Sequence, residues 1–175
     1  MMSPAECISC RRPKAGMSCD LCEAKVCKSC VSFLDEETFA FRTEVGAELK
    51  HTHYCPNCFE SRVAPEIATY QENLEKARGV YIFFKSQKRP PPILTRSKRV
   101  MRVAACPDRD ETILRLAFQA AELGFNAVIE TDVISKKVRN EAYQKLSWQG
   151  TGEPAKVDEG RMERENQYEA FDRFR

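Results

Sequence analysis

Apolar residues recur at steps of three and four between Pro65 and Arg78, where Ile67, Tyr70, Leu74 and Ala77 form a single stripe ending at Gly79. Residues three and four apart share a helical face, so this spacing predicts an amphipathic helix entered through proline and closed by glycine. The period then shortens. Val80-Tyr81-Ile82-Phe83-Phe84 and Val100-Met101-Arg102-Val103-Ala104 are β-branched and aromatic runs that predict strands, with Arg89-Pro90-Pro91-Pro92 as a rigid surface loop between them. Asp108-x-x-Glu111 supplies a capping box for a second helix, whose broad apolar face runs through Ile113, Leu114, Leu116, Ala117, Ala120, Ala121 and Leu123 to Gly124. Ala127-Val128-Ile129 into Val133-Ile134, then Tyr143 to Trp148 after a break near Asn140, predict two further strands ahead of Gly150-Thr151-Gly152. Asp158 caps a charged final helix in which Met162, Phe171 and Phe174 can dock. The expected fold class is α+β, with a mixed layer of four strands covered by one helix.

The first 60 residues do not follow this pattern. Their large hydrophobes are chiefly Val26, Val31, Phe33, Leu34, Phe39, Phe41 and Leu49, a thin core for a segment of that length. What they hold instead is cysteine: eight of the chain's nine fall in four C-x2-C pairs, Cys7/Cys10, Cys19/Cys22, Cys27/Cys30 and Cys55/Cys58, leaving Cys106 alone. Two thiolates three residues apart can face one ion across a tight turn, and two such turns complete a tetrahedron of four sulfurs. Four pairs therefore predict two Zn2+ ions per chain. Each structural zinc can contribute on the order of 10 kcal/mol to folding, which offsets the thin core. Without metal this part is expected to unfold.

Compartment supports metal over disulfides. No apolar run approaches the roughly 18 residues of a membrane span, and the start of the chain lacks the basic-then-apolar pattern of an export signal, so a cytoplasmic location with reduced thiols is expected. Eight sulfurs fill two tetrahedra and leave no open position for water or substrate, so the zinc is read as structural and no catalytic residue is assigned. His51 and His53 are surplus to the two sites, in exposed or supporting positions, and Cys106 is read as a small buried residue. Gly150-Thr151-Gly152 lacks the strand, spacing and helix of a phosphate loop.

Spacing alone permits two pairings. Sequential pairing would join Cys7, Cys10, Cys19 and Cys22; interleaved pairing would join Cys7, Cys10, Cys27 and Cys30, leaving Cys19, Cys22, Cys55 and Cys58 for the second ion. The order C-x2-C, C-x2-C-x4-C-x2-C and a final C-x2-C, over residues 7 to 58, resembles the cross-brace double zinc fingers of the FYVE and PHD type. That resemblance implies interleaved ligation. The chain departs from both types at their recognition residues. Met17-Ser18-Cys19-Asp20-Leu21 carries no basic residue where FYVE modules gather arginines and histidines for a phosphoinositide. Cys27 and His53 stand where PHD fingers commonly place a histidine and an aromatic. Farther along, Ala121-Glu122-Leu123-Gly124-Phe125-Asn126-Ala127-Val128-Ile129 resembles the helix-to-strand turn of small bacterial YbjQ-like domains.

Charge discriminates among functions only locally. The chain of 175 residues is 31% charged and 42% hydrophobic, which excludes wholesale disorder, and its net charge of +2 gives no global reason for a nucleic-acid partner. Between Ala77 and Pro107, however, there is no acidic residue, while Arg78, Lys85, Lys88, Arg89, Arg96, Lys98, Arg99 and Arg102 are cationic, with Tyr81, Phe83 and Phe84 as available stacking surfaces. The expected organisation is a double zinc finger over 1–62, a linker helix over 63–79, a small α+β domain over 80–157 and a C-terminal helix over 158–175. The expected function is that of a non-enzymatic zinc-binding adaptor that docks a protein partner or self-associates. Nucleic-acid binding through Lys85 to Arg102 is the alternative, and phosphoinositide binding by a FYVE-like module ranks third, making a membrane-lipid partner the least expected.

Overall fold

The computed structural model describes residues 6–13, 15–140 and 143–164, with the side chains of Asn140 and Tyr143 excepted. Internal contacts divide the chain into two units, residues 1–72 and 73–175.

The first unit contains little regular structure. Strand β1 (Met17–Ser18) pairs antiparallel with β2 (Lys25–Val26), and β3 (Ser32–Phe33) pairs antiparallel with β4 (His53–Tyr54). Helix α1 (Pro56–Cys58) continues through a π-helical turn at Phe59–Val63 into α2 (Ala64–Arg78). The helical run thus begins about nine residues before the stripe that predicted it. Cys55 caps it, its sulfur accepting the Cys58 N–H at 3.5 Å, and Pro56 occupies the first helical position, where its missing N–H costs nothing. Val63 and Tyr70 are buried, Tyr70 edge-on to Phe39 with ring centroids 5.4 Å apart, while Glu66 pairs with Arg42 at 2.8 Å. Val26, Leu34 and Phe39 are buried as expected, but Phe33 is 56% exposed and does not contribute to the core.

The second unit is an α+β layer. Strand β5 (Tyr81–Phe84) runs parallel to β8 (Ala127–Asn140), which pairs antiparallel with β9 (Tyr143–Val157). Strands β6 (Ile93–Arg96) and β7 (Met101–Cys106) lie end to end along the far edge of β9, both antiparallel to it. The layer is therefore four strands wide but built from five. Strand β6 falls where only a basic loop was expected, because Ile93-Leu94-Thr95 is too short to show a period. Strand β9 runs through Gly150, Gly152 and Pro154 instead of stopping before them. The two glycines are there for packing: a Cβ on Gly150 would lie 2.8 Å from Thr112 Cγ2, and one on Gly152 would lie 2.4 Å from Val128 Cγ1.

Helix α3 (Arg109–Glu122) covers one face of this sheet. Asp108 accepts the Glu111 N–H at 2.7 Å as its N-cap, and Gly124, at φ +76°, supplies the left-handed residue that ends it. Leu116 and Ala120 pack on Met101, Val103, Cys106 and Val128, with Val80, Ile82, Phe125 and Trp148 at the margin. Leu123 is 42% exposed and lies outside the face assigned to it. The opposite face carries Ala127, Ile129, Ala155 and Val157, joined by Tyr81, Phe83 and Met162. Met162 belongs to the helical residues 159–164, where Asp158 Oδ1 accepts the Arg161 N–H. Phe171 and Phe174 lie outside the described residues.

The aromatic residues of the basic stretch are half-buried and engaged within the fold. Tyr81 and Phe83 pack in that second cluster, Phe84 sits 5.0 Å beneath the Arg109 guanidinium, and Arg96 pairs with Glu153 at 2.8 Å.

Candidate metal centre

The eight paired cysteines gather as two sets, Cys7, Cys10, Cys27 and Cys30, and Cys19, Cys22, Cys55 and Cys58. Within each set every sulfur lies within 4.8 Å of the others. The pairing is interleaved, which spacing alone left open.

One backbone device builds both sets. In the first turn Arg11 N–H donates to Cys7 O at 2.9 Å, and in the second Glu23 N–H donates to Cys19 O at 2.8 Å. The residue after the second cysteine is left-handed in each, Arg11 at φ +60° and Glu23 at φ +62°. The residue after the first cysteine then ties its turn to the partner pair: Ile8 N–H donates to Lys25 O and Asp20 N–H to His53 O, both at 2.9 Å. Lys25 and His53 each stand two residues ahead of the cysteines that complete the set. The partner turns are also helix-like, with Val31 N–H on Cys27 O at 3.1 Å and Phe59 N–H on Cys55 O at 2.9 Å. Each set therefore combines one left-handed knuckle with one helical turn.

The interleaving follows from the hairpin between the sets. Strands β1 and β2 pair Met17 with Val26 and Ser18 with Lys25, so the knuckle of Cys19 and Cys22 sits at the hairpin's tip while Cys27 leaves from its base. Fully buried Val26 lies between the sets, and apart from the sulfurs the cluster holds, among the described residues, Ala15, Leu21, Val26 and Val31. So few apolar side chains supply little hydrophobic stabilisation.

The sulfur geometry is consistent with tetrahedral zinc. Cys10 Sγ and Cys27 Sγ are 3.6 Å apart, and Cys22 Sγ and Cys55 Sγ 3.7 Å. A zinc tetrahedron with sulfur at about 2.3 Å has edges of about 3.8 Å, whereas a disulfide needs about 2.05 Å. Electrostatics gives the same answer. The N–H groups of Cys10 and Cys27 hold the Cys7 thiol down at about 6. Burial opposes ionisation of Cys19, but the N–H groups of Cys55, Cys22 and Leu21 outweigh it and hold that thiol at about 6 as well. Their neighbours move the other way: the Cys27 and Cys10 side chains push Cys30 up to about 12, and burial with Cys55 and Cys22 raises Cys58. Four sulfurs this close cannot all carry charge alone, and a divalent cation removes the conflict.

Neither histidine joins a set. His53 Nδ1 lies 3.3 Å from Asp20 Oδ2, and the same carboxylate oxygen accepts the His53 and Thr52 backbone N–H groups at 2.9 and 3.2 Å. Those donors, led by His53 N–H, hold the Asp20 carboxyl below its ordinary range. Asp20 thus fastens the second knuckle to β4, a role not visible in sequence because its partners lie more than 30 residues away. His51 packs against Tyr54 with ring centroids 6.3 Å apart. Cys106 is buried in the α3 core, as expected for a small apolar residue.

Among the described residues no helix is long and apolar enough to cross a membrane. The two four-cysteine groups are consistent with two zinc ions. No protein-family model, curated protein or solved structure matches the chain.

Proposed function

We propose that the chain is a non-enzymatic zinc-binding protein in which all eight paired cysteines ligate two structural Zn2+ ions, and the module so formed docks a protein partner or a second copy. The observation that carries this reading is the grouping of the cysteines into two interleaved sets of four. A tetrahedron closed by four thiolates keeps no position for substrate, so the metal supplies shape and stability. The docking part is supported by Phe33 and Ile8, 56% and 48% exposed. Both are held by the cysteine framework, Phe33 on the β3–β4 pair against the His53 ring and Ile8 inside the first knuckle. A large apolar side chain held rigidly in water is a ready contact.

Elemental analysis of the purified reduced protein is expected to give two zinc ions per chain. The cobalt-substituted protein is expected to show a tetrahedral thiolate spectrum that added azide leaves unchanged. One ion or none, or a spectrum that shifts with azide, would sink the closed-site reading. For docking, Phe33→Asp with Ile8→Asp should retain both metals while abolishing any concentration-dependent association seen by sedimentation.

A further inference from the structure

The outer half of the β8–β9 hairpin stands apart from the sheet. Strand β5 pairs with β8 only as far as Thr131, and β7 reaches along β9 only to Trp148. Beyond those points residues 135–140 and 143–147 pair with each other alone, in unbroken register from Ser135–Trp148 to Asn140–Tyr143. Six residues of strand make an arm about 20 Å long. The positive-φ bulges at Ala105 and Glu130 mark where the flanking pairing breaks register.

Among the arm's described residues every charged side chain is cationic, Glu141 lying outside them. Lys136, Lys137, Arg139 and Lys145 are exposed, and none is paired with a carboxylate among the described residues. Directly opposed residues share a face, so Lys137 and Arg139 lie with Leu146 on one side of the ribbon, and Lys136 and Lys145 with Val138 on the other. Lysine is a common guard against pairing at a free strand edge, but edge protection does not call for four unpaired cations spread over both faces of a ribbon. A single sign of charge on both faces, among the described residues, points to a polyanion.

We propose that this arm is a binding element for duplex DNA, lying along the major groove with its cations on the phosphates. The roughly 12 Å major groove of B-form DNA admits a two-stranded ribbon without deforming the duplex. The deep, narrow major groove of duplex RNA excludes it. The site is distinct from the metal centres and from the Lys85 to Arg102 segment.

The test is fluorescence anisotropy of the zinc-loaded full chain with a random 20-base-pair DNA duplex across a salt series. Four phosphate contacts predict a log–log salt slope of about −3.6, hence roughly 100-fold weaker binding at 200 mM than at 50 mM salt. Changing Lys136, Lys137, Arg139 and Lys145 together to Gln should abolish binding at 200 mM while circular dichroism and zinc content stay unchanged. Lys98→Gln with Arg99→Gln should leave most binding intact. Absent binding, binding indifferent to the arm variant, or tighter binding to duplex RNA or to vesicles rich in phosphatidylserine would overturn the proposal.

Discussion

Single residues decide how the knuckles close. Arg11 and Glu23 occupy left-handed backbone that costs an ordinary side chain roughly 1–2 kcal/mol, partly because Cβ crowds the neighbouring carbonyl. Glycine escapes that cost but loses about 0.5–1 kcal/mol of chain freedom on folding. Glu23→Gly should therefore be neutral to stabilising by up to about 1.5 kcal/mol, and Glu23→Val clearly destabilising, in thermal melts of the zinc-loaded protein. A melting temperature lowered as much by Gly as by Val would show that the Glu23 side chain, not its backbone, matters. The sulfurs were fully legible in sequence, because C-x2-C repeats name their own chemistry. The left-handed residues were not, since glycine is the usual signal and neither position carries one. Asp20 was hidden for another reason: its partners Thr52 and His53 come near only after the chain folds.

At the scale of elements, legibility tracked periodicity. Helix α3 was readable because Asp108, Glu111 and Gly124 mark its ends and its stripe is long. Helix α2 was readable from Pro65 onward, but the start of the helical run, α1 at Pro56, depends on a cysteine acting as a cap, which no propensity scale rewards. The break near Asn140 between β8 and β9 was readable, but β9 was expected to end at Trp148 because glycine ordinarily ends a strand; here Gly150 and Gly152 let α3 and Val128 approach the backbone. That reading is testable. Gly152→Ala places a methyl against fully buried Val128, which cannot withdraw, and overpacking of this kind costs about 1–3 kcal/mol. Denaturant unfolding of the second unit should shift by that amount, whereas Gly46→Ala, with open space around its Cβ, should barely move stability. Equal effects at both positions would refute the packing role.

Across the whole molecule, two units stabilise themselves by different chemistry. The first clusters its cysteine sulfurs around Val26 and buries Leu34, Phe39, Tyr54 and Val63 besides, while the second buries Leu116, Phe118, Val128 and Ile129 in a conventional hydrophobic interior. Metal binding free energy is folding free energy where no site is preformed in the unfolded chain, so removing the ions withdraws the main support of the knuckles. Burial of apolar area is indifferent to chelators, so the sheet should keep its stability. Hydrogen exchange of the intact reduced chain with and without excess EDTA can resolve the two. Amides of β1 to β4 and of both knuckles are expected to lose protection on chelation, while those of α3, β7 and the inner halves of β8 and β9 keep theirs. Readdition of zinc should restore the first set. Cys19→Ser should reproduce the EDTA pattern without any chelator. Retained protection around the knuckles after complete metal removal would mean that the small apolar cluster suffices, and the assignment of the sulfurs as the unit's main stabilising groups would fall.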